Sequence, residues 1–249
     1  MYPYIHITLP SYGVMAFLGV FAALCFLYFR FEKYNLAFND FIKLFLLCGF
    51  TCFFFSKLLY FLVMLFSPEF EKSENILVLF IQSGYVFYGG LFGVLFGVWC
   101  YQKKYPKTNL HLLHHMITPA LPLFHGFGRI GCQLAGCCYG APLENPIVFF
   151  GVLKMNLFPT QLLEALYEFF LFVALYFIGR KYNGDLLRIY LVCYAVFRFF
   201  IEFFRADPDR GIWLGFSTAQ WISCAIVIFY VVRFMSNLIK TRCERSKYE

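Results

Sequence analysis

Residues 125–140 read HGFGRIGCQLAGCCYG, a stretch rich in glycine and cysteine inside an otherwise apolar chain. The surrounding hydropathy places Arg129 at membrane depth, where a charged arginine costs about 3 kcal/mol or more. A chain keeps such a residue when an anionic or polar group meets it. The glycines allow a close backbone approach or a break in the helix. The stretch therefore predicts a buried polar site within a membrane-embedded chain.

The composition of the whole chain agrees with this interpretation. Of 249 residues, 61% are apolar, 23% are aromatic and 14% are charged, whereas soluble domains are about one quarter charged. The mean hydropathy is +0.68. The net charge is +7, but the basic residues flank apolar runs, so nucleic acid is not an expected partner. The predicted fold class is an all-α, polytopic integral membrane protein.

Apolar runs of about 20 residues predict seven transmembrane helices joined by short loops. We expect one domain, residues 1–249, and no cleavable signal peptide, because the first run is long enough to span and remain. The predicted spans are Tyr12–Phe29, Phe41–Phe66, Ile76–Tyr101, His115–Cys138, Pro159–Ile178, Leu186–Phe204 and Phe216–Met235. The fourth is the least regular, because Pro119, Pro122 and several glycines interrupt it.

The distribution of lysine and arginine predicts the orientation of these spans. Most basic residues lie in the loops between the first and second, third and fourth, and fifth and sixth spans, and in the C-terminal tail. The opposite ends carry few, namely Lys72, Lys154, Arg205 and Arg210. The N-terminus is therefore expected outside the cell and the C-terminus in the cytoplasm.

In the fourth span, His125, Arg129 and Cys132 are spaced four and three residues apart, so on a helix they share one face. This pattern favours an anion-binding arginine with a histidine and a thiol beside it. The alternative is a structural arginine that ties a broken helix to backbone carbonyls. The spacing Cys132-x4-Cys137-Cys138 is not typical of zinc sites, so we expect no metal and no cofactor, with packing favoured over a disulfide.

The sixth span contains Tyr194, Arg198, Glu202 and Arg205, whose spacing places all four on one stripe of a helix. A local pair between Arg198 and Glu202 explains how both remain in the membrane. Two arginines on separate spans indicate a phosphate with lipid attached, because the planar guanidinium binds phosphate with two hydrogen bonds and stays charged when buried.

The fifth span begins at Pro159, a residue typical of the first helical position. Gln161, Glu164 and Glu168 form a polar stripe on this span, and their expected role is to partner the buried arginines. In the third span, Tyr88 precedes the pair Gly89-Gly90; packing is its more usual role. Tyr12, at the mouth of the first span, is most simply an interfacial aromatic residue.

The order of these motifs resembles the bacterial prolipoprotein diacylglyceryl transferase family. The resemblance covers nearly the whole chain. Its motifs are Tyr-Gly in the first span, Gly-Gly-Leu-x-Gly in the third, Gly-Arg-Ile-Gly in the fourth, Pro-Thr-Gln-Leu-x-Glu in the fifth, and Arg-Phe-x-x-Glu-Phe-Phe-Arg followed by Pro-Asp in the sixth.

The resemblance implies an enzyme of the bacterial cytoplasmic (inner) membrane. Such an enzyme transfers a diacylglyceryl group from phosphatidylglycerol to the lipobox cysteine thiol of a preprolipoprotein, the first step of lipoprotein maturation. It also implies residue roles. Arg129, Arg198 and Glu202 are the expected catalytic residues, and His125 joins them on the hypothesis given below. The expected substrate-binding residues are Tyr12, Tyr88, Gly89, Gly90, Gly140, Gln161, Tyr194 and Arg205.

Several positions depart from the better-known family members. Tyr88 and Phe158 stand where those members have histidine, Cys132 where they have asparagine, and Cys137 where they have glutamate. The chain is similar to a second branch with the pattern Gly-Cys-x-x-Ala-Gly-Cys-Cys-x-Gly. We hypothesise that His125 supplies the missing base, since histidine titrates near neutral pH.

Three other functions stay open at this point. A paralogue could use the same donor with another acceptor. A lipid or anion transporter could reuse the buried arginines, although the inverted repeat typical of transporters is not evident. A thiol-redox protein could be built on the clustered cysteines.

Overall fold

The computed structural model describes residues 4–6, 9–34, 36–65, 84–149, 153–206 and 211–245. Helices dominate this part of the chain. The α-helices are α1 Ser11–Tyr28, α2 Phe38–Leu65, α3 Phe87–Lys104, α4 Leu110–Ile117, α5 Ala120–Ala135, α6 Thr160–Lys181, α7 Leu186–Ile201 and α8 Thr218–Arg245. Short 3-10 helices lie at Phe31–Tyr34 and Glu202–Phe204.

Local sequence explains several helix ends. The side chain of Asn109 accepts a hydrogen bond from the backbone N–H of His111 at 2.9 Å and so caps α4. Asp185 caps α7 in the same way, accepting from the N–H of Arg188 at 3.1 Å. At the other end of a helix, Gly136 adopts φ +79° and terminates α5.

Within the described part of the chain, four helices are long and apolar enough to cross a membrane: Ser11–Tyr28, Phe38–Leu65, Thr160–Lys181 and residues Thr218–Asn237 of α8. They expose large apolar side chains, among them Phe17, Phe50 and Phe170, each at least 66% exposed, as expected of surfaces that face lipid. The helices that carry Arg129 and Arg198, α5 and α7, have 16 residues each. They are about 24 Å long, somewhat less than the hydrocarbon core.

The fourth predicted span, His115–Cys138, is not one helix. It is divided into α4 and α5 at residues 118–119, because Pro119 lacks the N–H that a continuous helix needs there. The third span was expected to begin at Ile76, but residues 76–83 lie outside the described residues and α3 begins at Phe87. The sixth span tightens into the 3-10 turn Glu202–Phe204.

The described residues include three small antiparallel hairpins, in segments for which the sequence predicts loops or termini, except that Phe216–Ser217 was expected to begin the seventh span and α8 begins at Thr218 instead. The strands are β1 Tyr4–His6 with β2 Leu9–Pro10, β3 Pro142–Phe149 with β4 Leu153–Leu157, and β5 Ile212–Trp213 with β6 Phe216–Ser217. In the largest hairpin Ile147 pairs with Met155 and Pro142 with Leu157. This hairpin links α5, which carries His125 and Arg129, to α6, which carries Glu164 and Glu168.

Helix packing places α5 at the centre of the polar region. It contacts α1 on one side and α6 on the other, while α2 packs against α3 and α7 against α8. One apolar core joins α3, α6 and α7 and includes the fully buried Tyr88, Tyr190 and Tyr194. These tyrosines lie beside the buried charges described next.

Candidate active site

Glu164 of α6 joins two arginines from different helices. Its Oε1 accepts a hydrogen bond from Nη2 of Arg129 on α5. Its Oε2 accepts from Nη1 of Arg198 on α7 at 3.1 Å. All three side chains are less than 10% exposed. The two guanidinium groups therefore converge on one buried carboxylate, and the prediction that the polar stripe of α6 partners the arginines is confirmed for Glu164.

Glu202 extends this network toward the end of α7. Its Oε2 lies 2.6 Å from Nη2 of Arg198 and 3.4 Å from Nη1 of Arg205. The predicted pair between Arg198 and Glu202 is thus confirmed. We refer to Arg129, Glu164, Arg198, Glu202 and Arg205 as the ionic cluster. Its three guanidinium groups outnumber its two carboxylates, so the cluster carries one excess formal positive charge in a water-poor setting.

His125 belongs to a second polar group next to the ionic cluster. Its Nδ1 shares a hydrogen bond with Oε1 of Glu168 on α6 at 2.9 Å, and both side chains are at most 7% exposed. The imidazole stacks on the ring of Phe87, with centroids 3.5 Å apart, and meets the edge of Tyr194 at 5.5 Å. Ring packing and the Glu168 hydrogen bond together fix the orientation of the imidazole.

Tyr88 lies in the aromatic group around His125 but directs its hydroxyl elsewhere. Its ring contacts Tyr194 edge-on, with centroids 5.4 Å apart. The Tyr88 O–H donates to Oγ of Ser223 at 2.6 Å, since that serine already donates to the carbonyl of Ala219. In contrast, the buried hydroxyl of Tyr190 has no hydrogen-bond partner among the described residues.

Gly140 connects the segment after α5 to the end of α7. It forms an isolated antiparallel bridge with Arg205, flanked by hydrogen bonds from Ala141 N to Phe204 O at 2.8 Å and from Ala206 N to Tyr139 O at 3.1 Å. A Cβ at Gly140 would overlap the carbonyl oxygen of Phe158. Glycine is therefore required here by the close approach of three chain segments.

The start of α6 holds the cysteine-containing turn. The side-chain amide of Gln161 donates to the carbonyl of Cys137 at 2.9 Å. The hydroxyl of Thr160 donates to the carbonyl of Cys138 at 3.1 Å. Both side chains are buried. Gln161 thus contacts the turn that follows α5 and does not enter the ionic cluster.

The three cysteines of this region lie together. The Sγ atoms of Cys132, Cys137 and Cys138 are all within 4.8 Å of one another. Cys132 is buried, Cys138 is intermediate and Cys137 is exposed. Nη1 of Arg129 donates to Sγ of Cys132 at 3.8 Å. The guanidinium of Arg129 therefore contacts both the ionic cluster and the thiols.

The remaining predicted binding residues lie at helix contacts. Tyr12 is 37% exposed and packs beside Gly131, whose Cβ would lie 3.2 Å from the tyrosine ring. Cβ atoms at Gly89 and Gly90 would meet Phe55 and Cys52 of α2. These glycines permit α2 and α3 to pack closely, and their role in substrate binding stays a prediction.

The structure thus brings together most of the predicted site. Arg129, Arg198, Glu202 and Arg205 form one network, with His125, Tyr194 and Tyr88 against it. The expectation of a predominantly helical protein with membrane-spanning helices agrees with the four candidate spans. Glu168 as the partner of His125, and Ser223 as the partner of Tyr88, were not predicted. The position of Glu168 within a polar stripe was its sequence signal.

The fold and the ionic cluster define a helical membrane protein with a charged site at the junction of α5, α6 and α7. Comparison with known proteins assigns the family. Residues 3–236 match the sequence model of the prolipoprotein diacylglyceryl transferases. The chain belongs to this family.

Individual relatives agree with the family assignment. The chain is 37% identical over 171 residues to phosphatidylglycerol–prolipoprotein diacylglyceryl transferase 2 of Clostridium perfringens, covering 65% of this chain and 66% of that protein. It is 33% identical over 244 residues to phosphatidylglycerol–prolipoprotein diacylglyceryl transferase of Clostridium tetani, covering 93% and 94%. A Dehalococcoides mccartyi protein of the same name is 28% identical over 244 residues.

Proposed function

We propose that this protein transfers the diacylglyceryl group of phosphatidylglycerol to the lipobox cysteine thiol of a preprolipoprotein. Membership of the family and the names of its relatives support a transferase that uses phosphatidylglycerol and a prolipoprotein. The observation that carries the proposal is the convergence of Arg129 and Arg198 on the single carboxylate of Glu164.

The charge of the ionic cluster matches the charge of the donor lipid. A phosphodiester carries one negative charge, and the cluster has one excess formal positive charge. Nε of Arg129 is buried and has no hydrogen-bond partner among the described residues, so it is a donor available to an anion. We place the phosphate against Arg129 and Arg198, in competition with Glu164.

The reaction is a displacement at the carbon of the diacylglyceryl group that is bonded to a phosphate oxygen. The acceptor sulfur forms a bond to this carbon, the carbon–oxygen bond breaks, and its electron pair leaves with glycerol phosphate. The two arginines stabilise the charge that develops on the departing phosphate oxygen. Glu202 holds the guanidinium of Arg198 in place, and Tyr194 forms an apolar wall beside it.

His125 is the proposed acceptor of the thiol proton. When Glu168 is ionised it accepts the hydrogen bond from Nδ1, and in this tautomer Nε2 is the nitrogen that accepts a proton. General base catalysis contributes about 10² to 10⁴-fold in typical enzymes. Replacing His125 with Gln in purified, folded protein is expected to lower transfer to a lipobox peptide by at least about 100-fold. Activity within a few-fold of the unchanged protein would contradict this role.

Binding of the donor involves the remaining predicted residues. Gly140 and Arg205 form the wall of the site next to the β3–β4 hairpin, where the glycerol head group would lie. Gln161 fixes the turn that closes the site. We assign Tyr12, which is 37% exposed, to the surface along which the acyl chains enter from the membrane, and the buried Tyr88, Gly89 and Gly90 to the packing of α3 that supports the site.

The proposed topology has seven spans within a single domain, in the bacterial cytoplasmic membrane. α4 and α5 together make the fourth span. The N-terminus is outside and the C-terminus is in the cytoplasm, in accordance with the distribution of lysine and arginine. A fluorescent protein fused to the C-terminus is expected to fluoresce, whereas a periplasmic alkaline phosphatase reporter fused there is expected to be inactive. The opposite pair of results would reverse the orientation.

The central experiment is complementation of a strain depleted of its own diacylglyceryl transferase. The unchanged protein is expected to restore growth and lipoprotein modification. Arg129→Ala and Arg198→Ala are expected to fail at equal protein levels, whereas Arg188→Ala, an exposed arginine on α7, is expected to succeed. If the strain grows with the Arg129→Ala variant and also with the Arg198→Ala variant, tested separately, the site assignment is contradicted.

A further inference from the structure

We propose that Cys132, Cys137 and Cys138 bind one zinc ion and that the acceptor thiol completes its coordination as the fourth ligand. The proposal rests on the proposed function, since it concerns how the acceptor of that reaction is held and activated. The sequence spacing of these cysteines is not typical of zinc sites and predicted no metal. In the folded protein, however, the three sulfur atoms lie close together.

The sulfur positions suit a thiophilic metal. All three Sγ atoms lie within 4.8 Å of one another. Thiolates bound at about 2.3 Å to a tetrahedral zinc ion are about 3.8 Å apart. The three sulfurs need to approach one another by about 1 Å or less, which small rotations of the side chains supply.

The backbone around the cysteines is shaped to direct them to one point. Gly136 and Cys138 have φ of +79° and +60°, and a positive φ is uncommon for a residue with a side chain. These two turns bring consecutive cysteines back toward Cys132 at the end of α5. Hydrogen bonds from Gln161 and Thr160 hold the carbonyl groups of Cys137 and Cys138. Strain of this kind is retained where the surroundings enforce it and is common at functional sites.

Packing does not account for the arrangement. A cysteine that serves as a small apolar residue is usually buried, but Cys137 is exposed. The cluster therefore reaches from the buried Cys132 to the protein surface, which gives a metal ion a path of entry.

Arg129 connects the proposed metal site with the proposed lipid site. Its Nη1 donates to the sulfur of Cys132 at 3.8 Å, and its Nη2 pairs with Glu164. A donor of this kind stabilises a thiolate ligand and orients it. Three thiolates with one zinc ion carry a net charge of −1, which the guanidinium partly neutralises. The two substrates thus meet at one arginine.

The ligand count leaves a coordination position for the acceptor. Among the described residues, the group of ligating side chains at this point consists of three thiols. Structural zinc sites have four protein ligands, whereas catalytic sites have three and an exchangeable position. An acceptor thiol that binds there loses its proton to His125, because a coordinating thiol is deprotonated.

The metal-bound thiolate is then the nucleophile. Its sulfur forms a bond to the glyceryl carbon of phosphatidylglycerol, and the carbon–oxygen bond breaks with its electron pair passing to glycerol phosphate. The product thioether is a weak ligand and leaves the metal. No oxidant or reductant takes part.

The first test is metal binding by the full-length protein in lipid nanodiscs. Purified protein incubated with Zn²⁺ and desalted is expected to retain about one zinc ion per chain. Cd²⁺ in its place is expected to give a thiolate-to-metal charge-transfer band. Cys132→Ser and Cys137→Ser are expected to lower zinc affinity at least about 10-fold, whereas Cys224→Ser on α8 is the control without effect. Cys137 is exposed, so its variant tests the proposal even if Cys132→Ser fails to fold.

The second test links the metal to transfer. Chelation is expected to lower transfer to a lipobox peptide at least about 10-fold, with recovery on adding Zn²⁺. Transfer at the full rate by protein that binds no zinc would overturn the proposal and leave the proposed function intact. Zinc binding without transfer from any phospholipid would support the metal site and contradict the proposed function. A disulfide between two of the three cysteines in active enzyme, detected by mass spectrometry, would also overturn the metal site.

Discussion

Glu164 forms an ion pair with Arg129 across the contact between α5 and α6, and both side chains are buried. The second oxygen of the same carboxylate holds Arg198 of α7. One carboxylate thus pairs with two arginines, one from α5 and one from α7, which lie far apart in the sequence. The same pair of arginines is where we place the lipid phosphate, so Glu164 both stabilises the protein without substrate and competes with that substrate.

Replacement of Glu164 by Gln tests this dual role. Loss of one partner from a buried ion pair typically costs about 3–5 kcal/mol, so we expect a lower temperature of unfolding. A phosphodiester bound between the arginines would restore the missing charge. Phosphatidylglycerol should therefore stabilise Glu164→Gln more than it stabilises the unchanged protein, as measured by thermal unfolding in detergent with and without lipid.

The control for this measurement is Glu144→Gln, which removes an exposed carboxylate on β3. It is expected to unfold as the unchanged protein does. Equal stabilisation of Glu164→Gln and the unchanged protein by phosphatidylglycerol would show that the lipid phosphate does not replace the carboxylate.

Replacement of Arg198 by Lys tests the requirement for a planar guanidinium. Arg198 contacts Glu164 through Nη1 and Glu202 through Nη2, and a single ammonium group cannot reproduce this geometry. We expect kcat/KM for transfer to fall about 100-fold. Arg188→Lys on the same helix is the matched control. Comparable activity of the two variants would mean that charge alone suffices at position 198.

Glu168 is expected to act through His125. Without the carboxylate the imidazole loses its 2.9 Å hydrogen bond and its fixed tautomer. Glu168→Ala should therefore lower kcat more than it raises KM. A double-mutant cycle with His125→Gln should be non-additive, because the two residues act as one unit. Additive losses would assign Glu168 a separate structural role.

Replacement of Gly89 by Ala tests whether the Gly89-Gly90 motif serves packing and not substrate binding. A Cβ at this position would overlap the carbonyl oxygen of Phe55 on α2, and overpacking typically costs about 1–3 kcal/mol. Gly89→Ala is expected to lower thermal stability while leaving KM for phosphatidylglycerol unchanged. Gly49→Ala on α2 is the control, since a Cβ there has no neighbour within 4 Å among the described residues. A raised KM with normal stability would restore the binding role.

Much of the helical architecture could be predicted from hydropathy, because an apolar run of sufficient length has few alternatives in a membrane. The boundaries of α1 and α6 lie close to those predicted. The division between α4 and α5 falls at Pro119, a residue that already interrupts the predicted fourth span, but hydropathy does not distinguish a broken span from a continuous one. The β3–β4 hairpin was also not predicted: β4 alternates apolar and polar residues, but β3 does not and contains Pro142 and Pro146.

The sequence by itself determined which residues are too costly to bury without a partner. Arg129, Arg198, Glu202 and His125 could be identified because a charge in an apolar helix requires a reason. The tertiary structure decided which partner each one has. Glu164 bridges two arginines and Glu168 holds His125, because α6 lies in contact with α5 and beside α7. It also brought Cys132, Cys137 and Cys138 within 4.8 Å of one another, since two residues with positive φ reverse the chain after α5, a conformation that residue spacing does not encode.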